Sequence, residues 1–65
     1  MIARELAQQI VGLDMGLARY AIKALGFVPR VSSYEGSSYI LTMDYRLDRI
    51  NLHIKNGIVE RASIG

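Results

Sequence analysis

Apolar residues in this chain recur first four apart, then in a helical series, and finally in strict alternation, so helices are expected before strands. Ile2, Leu6 and Ile10 fall four apart and predict a short helical turn or two, interrupted by Gly12. Asp14 is placed to cap a second helix, where its carboxylate can accept from free amide hydrogens. Ala18, Ala21, Ile22 and Leu25 follow the i, i+3, i+4, i+7 pattern of a buried helix face, with Arg19, Tyr20 and Lys23 on other faces. Gly16 weakens the first turns slightly, and Gly26 stands where a left-handed residue ends a helix.

Strand signals follow. Residues 27–33 are rich in β-formers around Val28 and Val31. Pro29 lacks an amide hydrogen, so it should face an unpaired side or open the strand. Glu35-Gly36-Ser37-Ser38 reads as a turn or loop, and Tyr39-Ile40-Leu41 as an apolar approach to what comes next. Ile50, Leu52 and Ile54 alternate with Asn51, His53 and Lys55, giving one apolar and one polar face. Asn56-Gly57 is a strong hairpin signal, and residues 58–64 return as a further strand. A plain two-residue turn puts Val59 opposite Ile54 and Arg61 opposite Leu52. A one-residue bulge puts Ile58 opposite Ile54, with Glu60, Ala62 and Ile64 on that face; the pattern leaves both open. Helices and strands are segregated, which predicts an α+β domain with a helix layer over a small sheet.

Between these elements lies Thr42-Met43-Asp44-Tyr45-Arg46-Leu47-Asp48-Arg49-Ile50-Asn51, whose first part is too polar for a core segment. A loop of this composition can be tied down by its own charges, and rigid exposed loops present backbone to other proteins. Arg49 and Asn51 are two apart on a strand and share a face. The planar fork of Arg49 can address Asp44, or the hydroxyl and carbonyl of Thr42. Two plainer readings stand beside this one. Met43 can be an ordinary core residue, and Arg46, Asp48 and Arg49 can be a solvated charge cluster worth under about 1 kcal/mol.

Thr42-Met43-Asp44-Tyr45-Arg46-x-Asp48-Arg49 followed by an alternating strand resembles the reactive-site loop of potato inhibitor I proteins. With Asp44 and Asn51 it looks closer still to their small bacterial and fungal relatives, which include elastase inhibitors. The specific part of the resemblance is the loop and the strand after it. It implies parallel strands flanking the loop, here residues 27–33 and Arg49 to Lys55. The expected fold is then one main helix, with a short N-terminal helical turn, on a small mixed three-stranded sheet with a long exposed loop between its first two strands.

The resemblance also implies roles. Leu41, Thr42, Met43, Asp44, Tyr45 and Arg46 would enter a serine protease cleft of subtilisin, chymotrypsin or elastase type, with Met43–Asp44 as the scissile bond. Arg49 and Asn51 would brace the loop. Plant members usually carry a second arginine where this chain has Asn51, a weaker and neutral clamp. The alternative is an intracellular interaction module that uses the same scaffold to bind a protein other than a protease.

Composition narrows the classes. Sixty-five residues make one small domain, 1–65, near the lower limit for folding alone. A 51% hydrophobic content and a mean hydropathy of +0.18 exclude a disordered chain. No apolar run approaches the roughly 18 residues of a membrane span, and no membrane partner is expected. Cysteine is absent, which excludes disulfides, thiol catalysis and thiolate metal sites. Its absence fits a reducing compartment, and Met1-Ile2-Ala3-Arg4-Glu5 does not read as a secretion signal. The residues thus favour a cytoplasmic location, the resemblance a secreted or periplasmic one.

The net charge of +2 and pI near 9.3 are too mild to indicate nucleic acid. Tyr20, Tyr34, Tyr39 and Tyr45 are not arranged with lysines as a base-stacking platform. No phosphate loop or metal-ligand spacing appears, so no cofactor and no metal are expected. His53 falls on the polar face of a strand, and Ser32, Ser33, Ser37 and Ser38 have no base close in sequence. A non-enzymatic protein is therefore expected, with no catalytic residue.

Overall fold

The computed structural model describes residues 2–65; Met1, the first residue of the expected domain, lies outside them. The chain runs α1 (Ala3–Ile10), α2 (Met15–Ala24), β1 (Val28–Tyr34), β2 (Ser37–Ser38), β3 (Arg49–Lys55) and β4 (Ile58–Ile64). The strands form one mixed sheet in the order β2-β1-β3-β4, with β1 and β3 parallel and the other pairs antiparallel. Two helices on a four-stranded mixed sheet replace the expected single main helix, short N-terminal turn and three strands.

Both differences have local causes. Ala3 and Ala7 complete an i, i+3, i+4, i+7 series with Leu6 and Ile10, and all four side chains are buried. Reading only the large residues of this segment understates it: α1 is a full helix and a main contributor to the core. Ile2 precedes it and is exposed. The fourth strand comes from Glu35 and Gly36, which both adopt positive φ (50° and 87°). That geometry closes a two-residue hairpin and lays Ser37 and Ser38 on the free edge of β1.

α2 begins as expected. The Asp14 carboxylate accepts from the amides of Gly16 at 2.8 Å and Leu17 at 3.2 Å. Ala18 and Ile22 are fully buried, whereas Leu25 closes the helix and is half exposed. Residues 12–15 run beside the start of β4: Gly12 and Met15 donate to Val59 and Gly57, and Val59 donates to Leu13. The linker thereby covers part of an otherwise free sheet edge. Pro29 is also accommodated. The amide of Val28 donates towards β3, to Asp48 at 2.8 Å, so the nitrogen of Pro29 turns to the open side beyond the reach of β2.

Ile50, Leu52 and Ile54 of β3 point under the helices and, with Val59, form the centre of the core. The hairpin register combines the two expected alternatives. Asn56 and Gly57 (φ 56° and 74°) make the tight turn and Val59 faces Ile54; Glu60 is then an extra residue, and Arg61, Ala62 and Ile64 face His53, Leu52 and Ile50. Unbroken alternation from Val59 would have put Arg61 and Ser63 under the helices. The bulge re-phases the strand so that Ala62 and Ile64 pack there instead. A second irregularity in β1 leaves Ser32 unpaired between Val31 and Ser33, its hydroxyl buried and without a partner.

Gly57→Val should lower stability by roughly 1–2 kcal/mol, because a branched side chain is strained at this φ. Chemical denaturation checks this, and an unchanged midpoint would show that the turn tolerates side chains.

Candidate functional site

β3 alternates between two environments. Its even-numbered residues fill the core, and Arg49 and Asn51 point to the other side of the sheet. The loop of residues 39–48 crosses on that side and covers them, leaving Arg49 only 7% and Asn51 only 8% exposed. Parallel pairing of β1 and β3 forces this path, since the chain must return to the starting end of the sheet before β3 begins.

Arg49 is the buried cation of the site. Its Nη2 donates to the carbonyl of Asp44 at 2.8 Å and to that of Gly65 at 2.6 Å, and its Nε reaches the Gly65 carbonyl at 3.2 Å. Its Nη1 lies 3.5 Å from the half-exposed Asp44 carboxylate. The amide of Arg46 also donates to Gly65, and the amide of Gly65 donates to Arg49. Gly65 is held closely at a φ of 150°: a Cβ there would lie 3.1 Å from the Asn51 amide nitrogen and 3.6 Å from the Tyr45 ring. The Arg49–Asp44 contact was legible in the sequence. The Gly65 carbonyl was not, because nothing in the spacing of 49 and 65 announces it.

Among the described residues, no hydrogen bond joins Asn51 to the loop. Its Oδ1 accepts from Arg30 Nε at 2.7 Å, and Arg30 Nη1 donates to the Thr42 hydroxyl at 3.2 Å. The expected Asn51 brace is thus indirect, and the residue that reaches Thr42 is Arg30 of β1, opposite Asn51 across the parallel pair. Arg49 reaches Asp44 and not Thr42. Sequence reasoning missed Arg30; its one signal was a cation beside Pro29 in a strand that had to flank the loop.

Thr42 completes the chain of contacts. The neighbouring Thr42 hydroxyl is the main influence holding the Asp44 carboxyl below the ordinary aspartate range, the Arg49 and Arg30 charges add to the effect, and partial desolvation opposes it. Arg46 and Asp48 form a separate bidentate pair at 3.0 and 2.8 Å. Both side chains are about half exposed, so this pair is the solvated cluster of the plainer reading, and Arg49 is not part of it.

With both flanks held, Met43 projects free, 98% exposed, which rules out a core role. Ile40, outside the expected Leu41–Arg46 segment, is fully exposed as well and extends the apolar display. Tyr45 is exposed with its ring near Gly65, and Leu41 is half-buried.

Folding also brings together residues that sequence kept apart. The Ser33 hydroxyl lies 2.9 Å from His53 Nδ1, and Arg61 Nη2 lies 3.4 Å from the same nitrogen. Desolvation and the Arg61 charge depress the His53 pKa, favouring the neutral ring. Arg61 can only donate, so Nδ1 acts as an acceptor here, and the contacts tie β1, β3 and β4 together.

No protein-family model matches the chain, and no match to it was found among curated proteins or among solved structures.

Asp44 supplies a pH test. Its carboxyl titrates lower in the fold than in the unfolded chain. Its contribution is therefore present above the unfolded aspartate range and fades as pH falls through the lowered value. An NMR titration of the Asp44 carboxyl should give a midpoint below that of an unfolded aspartate, and Thr42→Val should raise it. A wild-type midpoint at the ordinary value, or one unmoved by Thr42→Val, would refute the Thr42–Asp44 contact.

Proposed function

We propose that this chain is a protein inhibitor of a serine endopeptidase, of potato inhibitor I type, acting by substrate-like insertion of Leu41, Thr42, Met43, Asp44, Tyr45 and Arg46. The observation that carries this reading is a fully exposed Met43 between two residues each held from the sheet, Thr42 through Arg30 and Asp44 through Arg49. An ordinary substrate is flexible and leaves as two products. A segment clamped on both sides of one bond is ordered before it binds, which saves ordering entropy. Its ends also stay together if that bond is cut, which favours resealing.

Met43 is flexible, unbranched and uncharged. It suits the apolar specificity pockets of subtilisin-, chymotrypsin- and elastase-like enzymes and offers nothing to the anionic pocket of a trypsin-like one. The same clamps would serve a module that displays the loop to a protein other than a protease. Inhibition assays separate the two, since only an inhibitor blocks peptide hydrolysis with Met43 in the pocket.

The protein should inhibit a subtilisin- or chymotrypsin-like enzyme better than trypsin, and Met43→Lys should shift the preference towards trypsin. An unchanged profile for Met43→Lys would exclude Met43 from the pocket.

Arg49→Ala removes charge-assisted bonds worth about 1.5–3 kcal/mol. If that loss falls on loop order, inhibition should weaken roughly tenfold to a hundredfold. The loop should also be cut faster at Met43–Asp44. A time course reading residual protease activity and intact inhibitor mass together checks both effects. Wild-type tightness and persistence in Arg49→Ala would reject the bracing mechanism.

A further inference from the structure

Where the start of α1, the second half of the loop and the end of β4 meet, the fold leaves a cavity of about 450 Å³, open to water. Ile2, Ala3, Arg4, Tyr45, Leu47 and Ile64 line it. Three stretches far apart in the chain supply the walls, so no sequence pattern announces the site. The volume falls within the roughly 300–1,000 Å³ in which proteins hold small ligands. Ala3 belongs to the buried core and Ile64 packs against it, which gives the cavity a fixed floor. Ile2, Tyr45 and Leu47 keep 59%, 68% and 75% of their surface exposed, so these walls are surplus to folding.

The cavity carries one charge. Arg4 is the single ionisable residue of its lining apart from the Tyr45 phenol. None of the six carboxylate side chains of the sequence lines it. Among the described residues none of them lies within 4.0 Å of the Arg4 guanidinium either. The two acids of the adjoining loop are engaged elsewhere, Asp44 by Arg49 and Asp48 by Arg46. Arg4 thus offers a planar pair of donors to an anion from outside the chain.

The rest of the lining narrows the ligand further. Ile2, Ala3, Leu47 and Ile64 are aliphatic, and the Tyr45 hydroxyl is the one other polar side-chain group. A sugar or a nucleotide would bring many polar groups against side chains that cannot pair with them. A hydrocarbon chain brings none and gains from leaving water. The occupant that fits is therefore anionic at one end and hydrocarbon along the rest.

We infer that this cavity binds a medium-chain fatty carboxylate, its chain against Ile2, Leu47 and Ile64 and its headgroup on the Arg4 guanidinium. The site uses neither Met43 nor Asp44, so it stands apart from the protease reading and is tested without a protease.

The test is an NMR titration of the full, isotope-labelled chain with sodium octanoate and, separately, with octylammonium, the same hydrocarbon chain carrying the opposite charge. Octanoate should shift the amide signals of Ala3, Arg4, Leu47 and Ile64 saturably, and octylammonium should not. Arg4→Gln should weaken octanoate binding about threefold, the worth of one exposed ion pair. Leu47→Ser should weaken it as well, through lost apolar contact. Both side chains are exposed, and the same spectra report that the variants are folded. Arg19→Gln removes an exposed cation from α2, outside the lining, and should leave binding unchanged. Absence of saturable shifts at these four residues overturns the proposal, as does equal binding of octylammonium. Unaltered affinity in Arg4→Gln or in Leu47→Ser overturns it too. So does an equal loss in Arg19→Gln and Arg4→Gln, which would mean attraction by net charge alone.

Discussion

The outer side of the sheet is organised by one constraint: the Arg49 guanidinium is buried and must still be satisfied. Removing a cation from water costs several kcal/mol unless good acceptors replace its hydration. Here the acceptors are mostly main-chain carbonyls, those of Asp44 and Gly65, with the Asp44 carboxylate at longer range. A carbonyl acceptor ties a stretch of backbone, whereas a side-chain acceptor ties only its own tip. Satisfying Arg49 therefore fixes where the loop passes and where Gly65, just beyond β4, is held. The Gly65 carbonyl joins the two, because it also accepts from the amide of Arg46.

The second brace depends on register. Arg30 meets Asn51 because β1 and β3 are parallel and these residues are partners across the ladder. A one-residue slip of β1 would turn Arg30 to the core face, and one of β3 would expose Ile50, Leu52 and Ile54, so the hydrophobic core and the loop clamps enforce the same alignment. Asn51 suits its position for the same reason. A second arginine beside Arg30 would add like charge, whereas an asparagine oxygen accepts from Arg30 and aims it at Thr42.

What the sequence disclosed depended on whether the relevant partners were near in the chain. The Asp14 cap, the alternation of β3 and the Asn56-Gly57 turn all arise within a few residues and were legible. Helix α1 was underread because half of its buried face is alanine, which packs well but gives a weak periodic signal. β2 was hidden because Glu35-Gly36 forms a tight turn only with a non-glycine residue at positive φ. The bulge at Glu60 could be raised as an alternative but not placed, since the choice rests on burying Ala62 and Ile64 against helices folded from elsewhere. In the site, Arg49 and Asp44 were legible at short range. Arg30 and Gly65 were not, because both reach the loop only through the sheet.

The alternation of β3 also keeps the two surfaces of the molecule apart. Its apolar residues bind the helices and its polar residues bind the loop, so a single strand carries both layers. In a domain of this size there is little other core to absorb a disturbance. A ligand beside α1 would meet Ile2, Tyr45 and Leu47, which the fold leaves largely exposed, and a partner on the loop would meet Met43 and Ile40, which the fold also leaves free. Neither encounter requires the core or the Arg49 clamps to rearrange. The buried cation permits this separation: by consuming Asp44 and Gly65 carbonyls internally, it rigidifies the loop backbone while the side chains that face a partner remain unconstrained.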